Sequence, residues 1–415
     1  MLKFVIIFAF FLLFAGCTFQ RLEKDLVEYD TYRNIEGELI DSSTGEAPII
    51  LFYFNTSSGQ RKLESFSYQP QAGKFFSLYR GESLQLFAYK DLNGNLAYDS
   101  TEPAVLSPTY YFSDSLDTFP SITLVLRESE HPLIDSLPTF SKSEFAHDSS
   151  DSWVNGEIVS IESLRFSQHN ANLAYWEPMS FVDSIRGGLF FEHTYDSSKI
   201  PILFVHGAGG SPKDFEDIVE DLDTTIYQPW YYFYPSGLRL EVAVEVLNRL
   251  LNKQYQLLEF KEIILVAHSM GGLVARGYLQ QNLDPEAFAV PLFITLSTPW
   301  AGHAGAQAGI DMAPAIVPSW IDMAPHSAFI QDLFKEPLIS SVSHYLLFGV
   351  KGGTSRFTGT NDETVSIASE IYLPAQEQAQ KIYGFNETHT SILSSDESRQ
   401  VIRSILYQYA SASNQ

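Results

Sequence analysis

A serine between an apolar strand and a helix is the residue of this sequence best suited to nucleophilic chemistry. The run 263–266 leads into Ala-His-Ser-Met-Gly at 267–271, and a helical pattern follows. A strand that turns sharply at a serine and continues as a helix holds the hydroxyl clear of the backbone, where a base can reach it. Such a turn is too crowded for large neighbours, and Ala267 stands where glycine is more usual. We therefore predict that Ser269 is a catalytic nucleophile.

A glycine-rich turn earlier in the chain has the composition of an oxyanion-binding loop. The apolar run 201–205 ends in His-Gly-Ala-Gly-Gly-Ser at 206–211. Backbone N–H groups exposed in such a turn can stabilise the oxyanion of an acyl-transfer intermediate, together with the N–H after the nucleophile. We assign these donors to Ala208 and Met270. A phosphate-binding loop is disfavoured, because no Lys-Ser/Thr follows and the spacing does not fit G-x-G-x-x-G.

An acid and a histidine must follow the serine in this arrangement, in that order. Asp362 comes after the strand-like run 343–350, and His389 comes after a second short strand at 381–385. Both residues therefore lie past the C-terminal end of a strand, where α/β sheets gather their catalytic groups. We predict that His389 is the general base and that Asp362 orients it.

Other side chains compete for these two roles. His268 adjoins Ser269, but neighbours on a strand point to opposite faces. His206 is expected to bond to the backbone of its own turn, and three histidines precede the predicted acid, which is the wrong order: His303, His326 and His344. Among these histidines, His326 is the alternative base. The alternative acids are Asp322 and Glu387.

From about Trp176 to Tyr409, the chain resembles an α/β-hydrolase of the lipase or esterase type. The matching segments are Phe204-Val205-His206-Gly207, Ala267-His268-Ser269-Met270-Gly271-Gly272, Leu296-Ser297-Thr298-Pro299-Trp300, Asp362-Glu363-Thr364-Val365 and Thr388-His389-Thr390. Lipases commonly have Asp-Gly-Val-Val at the acid, so Glu363 and Thr364 depart from the pattern. The resemblance implies a mostly parallel sheet with helices on both faces, and hydrolysis of an ester, thioester or amide by a Ser-Asp-His triad without a metal or organic cofactor. It does not fix the substrate.

The segment from Pro299 to Leu333 is rich in Ala, Gly and Pro and follows the strand that ends at Ser297, where hydrolases insert lids and acyl pockets. Apolar, adaptable side chains over a nucleophile suit an apolar acyl substrate. The predicted residues of the substrate pocket or lid are Trp300, Met312, Trp320 and Met323. Ordinary packing of a long loop is the alternative.

The N-terminus has the pattern of a bacterial lipoprotein signal peptide. Lys3 precedes a short apolar run that ends in Ala15-Gly16-Cys17, and Cys17 is the only cysteine. The run is too short to span a bilayer comfortably. We expect cleavage before Cys17, a lipid on its sulfur, and a location in the bacterial cell envelope, at the outer membrane because Thr18 rather than Asp follows. A simple secreted protein or an uncleaved anchor is the alternative.

Composition and pattern bound the rest of the chain. The net charge of −24 argues against nucleic acid as a partner and against electrostatic docking on anionic lipid. Aromatic and β-branched runs between turn residues predict a small all-β sandwich, which resembles the transthyretin-like domains of bacterial lipoproteins. The predicted organisation is a signal peptide at 1–16, a tether at 17–33, the sandwich at 34–127, a linker and lead-in at 128–175, and the hydrolase domain at 176–415.

The loop from Asp91 to Glu102 in the sandwich carries oxygen ligands at alternate positions. A calcium loop would need glycine at its sixth position, where this chain has Leu96. We interpret it as a hairpin turn rich in Asx residues, with calcium binding as the alternative. For the whole chain, the sequence predicts a membrane-tethered serine hydrolase that acts on an ester with an apolar acyl group. The alternatives are a non-catalytic surface lipoprotein, or a peptidase or thioesterase on the same fold.

Overall fold

The computed structural model describes residues 18–29, 32–45, 47–69, 72–112, 121–128, 137, 153–281, 288–355 and 359–413. The predicted signal peptide, the lipidation site Cys17 and most of the predicted linker lie outside these residues. The chain forms two compact units, one from Leu26 to Ser152 and the other from Met1–Asp25 together with Trp153–Gln415.

The first unit is an all-β region. Its strands are β1 Tyr32–Asp41, β2 Ile49–Asn55, β3 Lys62–Gln69, β4 Gly73–Arg80, β5 Ser83–Lys90, β6 Ala104–Leu106, β7 Tyr110–Tyr111 and β8 Ile122–Leu126. One sheet has the order β4-β1-β8, and the other has the order β3-β2-β5-β6, with β7 also paired to β5. Alternate side chains of both sheets meet in one buried cluster that includes Ile35, Leu51 and Leu124. This alternation follows from the two-residue period of a strand.

The carboxylates of the loop between β5 and β6 accept hydrogen bonds from the backbone. Asp91 accepts from the N–H groups of Asn95 at 3.1 Å and Leu96 at 3.0 Å. Glu102 accepts from Leu92 at 2.9 Å and from Asp99 at 3.0 Å. The φ of Leu96 is +58°, so a branched side chain adopts the turn conformation that would favour glycine. These bonds match the geometry of a turn closed by its own Asx and Glu side chains.

The second unit contains an eight-stranded, mostly parallel sheet of order β18-β15-β14-β13-β11-β12-β10-β9. Its strands are β9 Val154–Ile158, β10 Gly188–Phe191, β11 Ile200–Val205, β12 Tyr227–Phe233, β13 Ile264–His268, β14 Leu292–Leu296, β15 Ser343–Gly349 and β18 Ala379–Phe385. A separate hairpin consists of β16 Gly353–Ser355 and β17 Gly359–Asn361. The central strands β11, β13 and β14 are buried along almost their whole length, as expected for parallel strands covered on both faces.

Helices connect and cover these strands. Residues 18–29 form the first helix, α1. The others are α2 Gln168–Trp176, α3 Pro178–Ser184, α4 Glu216–Glu220, α5 Leu240–Leu258, α6 Met270–Gln281, α7 Ala304–Met312, α8 Pro318–Met323, α9 Ala328–Asp332, α10 Ile367–Glu370, α11 Leu373–Gln378 and α12 Asp396–Ser413. In the long helix α5, the buried residues recur at the spacing of one helical face, from Leu240 to Leu251. Among the described residues, no helix is both long and apolar enough to cross a membrane.

Two segments outside the two predicted domains contain regular structure. In the predicted tether, 17–33, residues 18–29 are helical, and β1 begins at Tyr32. In the predicted linker and lead-in, 128–175, the residues from 153 onward form β9 and most of α2 and belong to the second unit. Polar composition favoured a linker at 128–153. The lead-in that follows begins with β9, an edge strand, and an edge strand tolerates polar side chains because one side of it faces solvent.

Candidate active site

Ser269 occupies the sharp turn between β13 and α6. Its φ is +53°, an unusual value for a residue with a side chain, and such strain is common at functional turns. Two glycines let α6 begin this close to its neighbours. A Cβ on Gly271 would lie 2.2 Å from the carbonyl oxygen of Val205, and one on Gly272 would lie 2.0 Å from the hydroxyl of Thr298. Local crowding therefore requires the small residues that follow Ser269.

The predicted base and acid lie in one line with this serine. The hydroxyl of Ser269 and Nε2 of His389 are 2.8 Å apart. On the other side of the ring, Nδ1–H of His389 donates to Oδ2 of Asp362 at 2.6 Å. The backbone N–H of His389 also donates to the carbonyl of Asp362 at 2.8 Å. The structure thus brings together three residues from three loops at the C-terminal edge of the sheet.

Asp362 is completely buried, and its carboxylate is held by the loop that carries it. Oδ1 accepts from the backbone N–H groups of Thr364 at 3.0 Å and Val365 at 2.6 Å. Burial acts to raise the pKa of Asp362, but the bond from His389 and these two backbone bonds outweigh it and hold the pKa below its ordinary value. Glu363 has a φ of +85°, a backbone conformation that favours glycine, which is the residue common at this position in lipases. The departure at Glu363 therefore leaves the carboxylate geometry intact.

The glycine-rich turn passes directly over the nucleophile. A Cβ on Gly207 would lie 2.9 Å from Cβ of Ser269, so only glycine fits there. Within the described part of the chain, the backbone N–H groups of Ala208 and Met270 donate to no protein acceptor. Both predicted oxyanion donors are therefore free to bind a substrate oxygen.

Side chains behind this turn hold its shape. Nδ1–H of His206 donates to the carbonyl of Gly207 at 2.8 Å, and the backbone N–H of Tyr234 donates to Nε2 at 3.3 Å. Burial lowers the pKa of His206 to about 4, so its ring is neutral at pH 7. The hydroxyl of Ser236 accepts from the N–H of Gly209 at 3.0 Å. The expectation that His206 bonds to the backbone of its own turn is confirmed.

The other histidines have partners or positions of their own. Nε2–H of His268 donates to the carbonyl of His389 at 2.8 Å, and burial, followed by the charge of His389, lowers the pKa of His268 to about 3. His303 caps α7 and donates to the carbonyl of Thr364. His344 bonds to Thr295, while His326 lies exposed on the surface.

The two alternative acids are also engaged elsewhere. Asp322 pairs with the guanidinium of Arg239 at 2.6 Å and accepts from the N–H of Leu240. Glu387 accepts from the hydroxyl of Ser391. Neither carboxylate is bonded to a histidine.

The segment from Pro299 to Leu333 contains the three short helices α7, α8 and α9. Its four predicted pocket residues differ in burial and in their contacts. Trp300 is completely buried, with its ring against those of Phe293, His344 and Phe334. Trp300 therefore packs in the core beside the sheet, and its assignment to the substrate pocket stays a prediction.

The other three predicted residues lie on or at the ends of these helices. Met312 is 77% exposed at the end of α7, and Met323 is buried at the end of α8. Trp320 is half-buried, and its Nε1–H donates to the hydroxyl of Tyr175 at 2.6 Å. A side chain on Gly209 would meet the ring of Tyr175 at 3.9 Å. Tyr175 thus links Trp320 to the oxyanion turn.

Two residues near the site were missed by the sequence reasoning. Tyr175 joins α8 to the oxyanion turn, and Glu370 lies behind the acid. An oxygen of Glu370, an oxygen of Asp362 and a ring nitrogen of His389 all lie within 4.8 Å of one another. Three such atoms could in principle hold a cation, but Asp362 and His389 already satisfy each other by a hydrogen bond. Neither Tyr175 nor Glu370 belongs to a motif that could have revealed it.

Comparisons with known proteins found one family model and several solved structures that are similar to part of this chain. The family model of the PGAP1-like alpha/beta domain matches residues 196–365. The mature form of a Bacillus licheniformis lipase aligns over 52% of this chain and 97% of its own, with 21% identity and a TM-score of 0.42. A monoacylglycerol lipase of Paleococcus ferrophilus aligns over 51% and 94%, with 14% identity and a TM-score of 0.37. No curated protein matches the chain. The chain has an α/β-hydrolase fold, and within it residues 196–365 are similar to the PGAP1-like alpha/beta domain.

Proposed function

We propose that this protein is a membrane-tethered serine hydrolase that cleaves a carboxylic ester with an apolar acyl group. The observation that carries the proposal is the continuous hydrogen-bonded line from Asp362 through His389 to Ser269, with bonds of 2.6 Å and 2.8 Å. A serine hydroxyl becomes a useful nucleophile when a neighbouring base takes its proton and a third group orients that base.

Each group has a defined role in the proposed reaction. Oγ of Ser269 attacks the acyl carbonyl while Nε2 of His389 accepts the hydroxyl proton. The carboxylate of Asp362 stabilises the imidazolium that forms, and its lowered pKa keeps it ionised at neutral pH. The free N–H groups of Ala208 and Met270 bind the oxyanion. His389 then protonates the leaving alkoxide, and a water molecule hydrolyses the acyl-enzyme by the same steps in reverse order.

A fluorophosphonate, which reacts with activated serines, tests this proposal directly. We expect the purified protein to be labelled and the Ser269→Ala variant to remain unlabelled. A folded native protein that resists labelling would instead favour a non-catalytic surface lipoprotein that binds a partner. Hydrolysis of matched ester, thioester and peptide substrates then separates an esterase from the other hydrolases that this triad can support.

The three helices α7 to α9 support an apolar substrate. Trp320 contacts both Tyr175, which borders the oxyanion turn, and Trp176, at 6.2 Å between ring centroids. Met312, Ile316 and Ile321 of the same segment are exposed on the protein surface. We propose that this helical segment forms a wall or lid beside the acyl chain, with Trp320 as its anchor.

We expect Trp320→Ala to change the preference for acyl length. Each buried methylene is worth about 0.8 kcal/mol, which is about fourfold in kcat/KM, so the ratio of long-chain to short-chain hydrolysis should shift by about that factor or more. Trp320→Phe is the matched control, because it keeps an aromatic ring while it loses the bond to Tyr175 and part of the indole surface. An unchanged ratio in Trp320→Ala, with labelling of Ser269 intact, would remove this segment from the acyl site.

Contacts of α1 support a tether that is close to the same site. Leu22 is completely buried, and Asp25 accepts hydrogen bonds from the backbone N–H groups at the start of α3, at 2.8 Å and 2.9 Å. The ring of Phe19 packs edge-on against Trp176 with 5.6 Å between centroids. The lipid proposed on Cys17 would be attached two residues before the described contact of Phe19 with Trp176.

Cys17→Ser tests the tether. Without its thiol the chain cannot carry the thioether-linked lipid, so we expect the protein to leave the membrane fraction while it keeps its activity on soluble esters. Thr18→Ser, which retains the cysteine, is the control and should stay with the membrane. Continued membrane association of the Cys17→Ser protein, with its N-terminal segment uncleaved, would indicate an uncleaved anchor instead.

A further inference from the structure

A second buried carboxyl group lies behind the candidate triad and has no role in the mechanism above. Glu370 ends the short helix α10, and only 1% of its surface is exposed. Neither of its oxygens meets the geometry of a hydrogen bond with a described residue, and the same is true of the nearby hydroxyl of Ser297. Its polar neighbours are the hydroxyl of Ser297, the carboxylate of Asp362 and the backbone of Gly349. A buried carboxylate without a well-formed hydrogen bond is costly, so this group needs a physical explanation.

Its neighbours determine which form of the side chain is stable. An oxygen of Glu370 lies within 4.8 Å of both the carboxylate of Asp362 and a ring nitrogen of His389. Burial, followed by the negative charge of Asp362, raises the pKa of Glu370 to about 9. The pKa of Asp362 is lowered, so at neutral pH the negative charge is on Asp362 and the extra proton on Glu370.

Other titratable groups around the triad do not reverse this balance. His268 and His303 are the two further histidines that interact with Asp362 and His389. Burial is the main cause that lowers the pKa of each, so both rings are neutral at pH 7 and provide no positive charge that would favour ionised Glu370. A cation held by Asp362, Glu370 and His389 would require His389 to give up its hydrogen bond to Asp362.

We propose that Glu370 is a positioning residue that acts through Asp362 as a neutral hydrogen-bond donor, so that Asp362 remains the one charged carboxyl group behind His389. This inference rests on the proposed hydrolase function. Oδ1 of Asp362 already accepts two backbone N–H groups, and Oδ2 accepts the imidazole. A proton on Glu370 gives this carboxylate a further donor, which fixes its orientation without adding a second negative charge.

Glu370→Gln and Glu370→Ala distinguish this role from simple packing. Glutamine has the size of a protonated glutamic acid, and its NH₂ group can donate a hydrogen bond. Alanine is smaller and has no side-chain donor. We expect Glu370→Ala to lower kcat for ester hydrolysis about tenfold or more with little change in KM, and Glu370→Gln to restore most of that loss. Glu387→Gln, which changes the nearby carboxyl group bonded to Ser391, is the control and should leave kcat unchanged.

The pH profile of kcat/KM provides the second readout. The native protein should lose activity near pH 9 as Glu370 ionises, and Glu370→Gln should remove that alkaline loss. Activity at neutral pH should stay close to native in Glu370→Gln, because no charge is removed there. An alkaline loss of activity that persists in Glu370→Gln, or a requirement for a divalent cation that Glu370→Gln abolishes, would overturn the proposal. Activity retained in Ser269→Ala would instead overturn the proposed function itself.

Discussion

Ser269→Ala is expected to lower ester hydrolysis by about 10⁵-fold, and His389→Ala should cause a loss of similar size. The reason is that the hydroxyl and the imidazole act in one step, with 2.8 Å between Oγ and Nε2. Once either is removed, the other has no proton to exchange, so the double variant should be little slower than each single one. The measurement is kcat/KM of all four proteins on one ester.

The surface histidine provides a matched control for this experiment. His326 is exposed, and His326→Ala should keep native turnover. The two variants at the site should also keep the native melting temperature within a few degrees, since neither leaves a large cavity. Losses that multiply in the double variant would mean that Ser269 and His389 do not work together.

Asp362→Asn is expected to leave the protein folded and to lower kcat by about 10³- to 10⁴-fold. The new amide can keep its oxygen toward the N–H groups of Thr364 and Val365, and it then turns its NH₂ toward His389. Two donors would face each other across the present 2.6 Å bond, so the imidazole would lose the orientation and tautomer that the reaction needs. Single-turnover kinetics with an activated ester would measure the loss in the acylation step.

Asp322→Asn is the comparison that tests the choice of acid. Asp322 is paired with Arg239, so its substitution should lower the melting temperature rather than the turnover of folded protein. Near-native rates in Asp362→Asn together with a large loss of turnover in Asp322→Asn would show that the acid was assigned wrongly.

The order of the motifs and their strand ends were enough to select the residues that meet at the candidate site. Ser269 and His389 are 120 positions apart. Each of them follows a short apolar run that predicts a strand from neighbouring residues alone. Parallel strands end at one edge of the sheet, so residues that follow them are brought together whatever lies between. The small residues beside Ser269 and the glycines of the oxyanion turn were readable for the same reason, since a tight turn limits side-chain size at each position.

Tertiary packing decided the positions of side chains that the sequence patterns could not predict. Trp300 and Trp320 have the same chemistry and lie in one segment, but one is in the core and the other bonds to Tyr175. The role of Glu370 depends on its distance from Asp362 across a fold that no local pattern describes. The sequence by itself determined the fold class, the all-β region and the three residues that line up at the sheet edge, because turns and strand periodicity act over a few neighbouring residues. Which side chains lie in the core, and which carboxyl groups lie together behind His389, was set only by packing among groups distant in the chain.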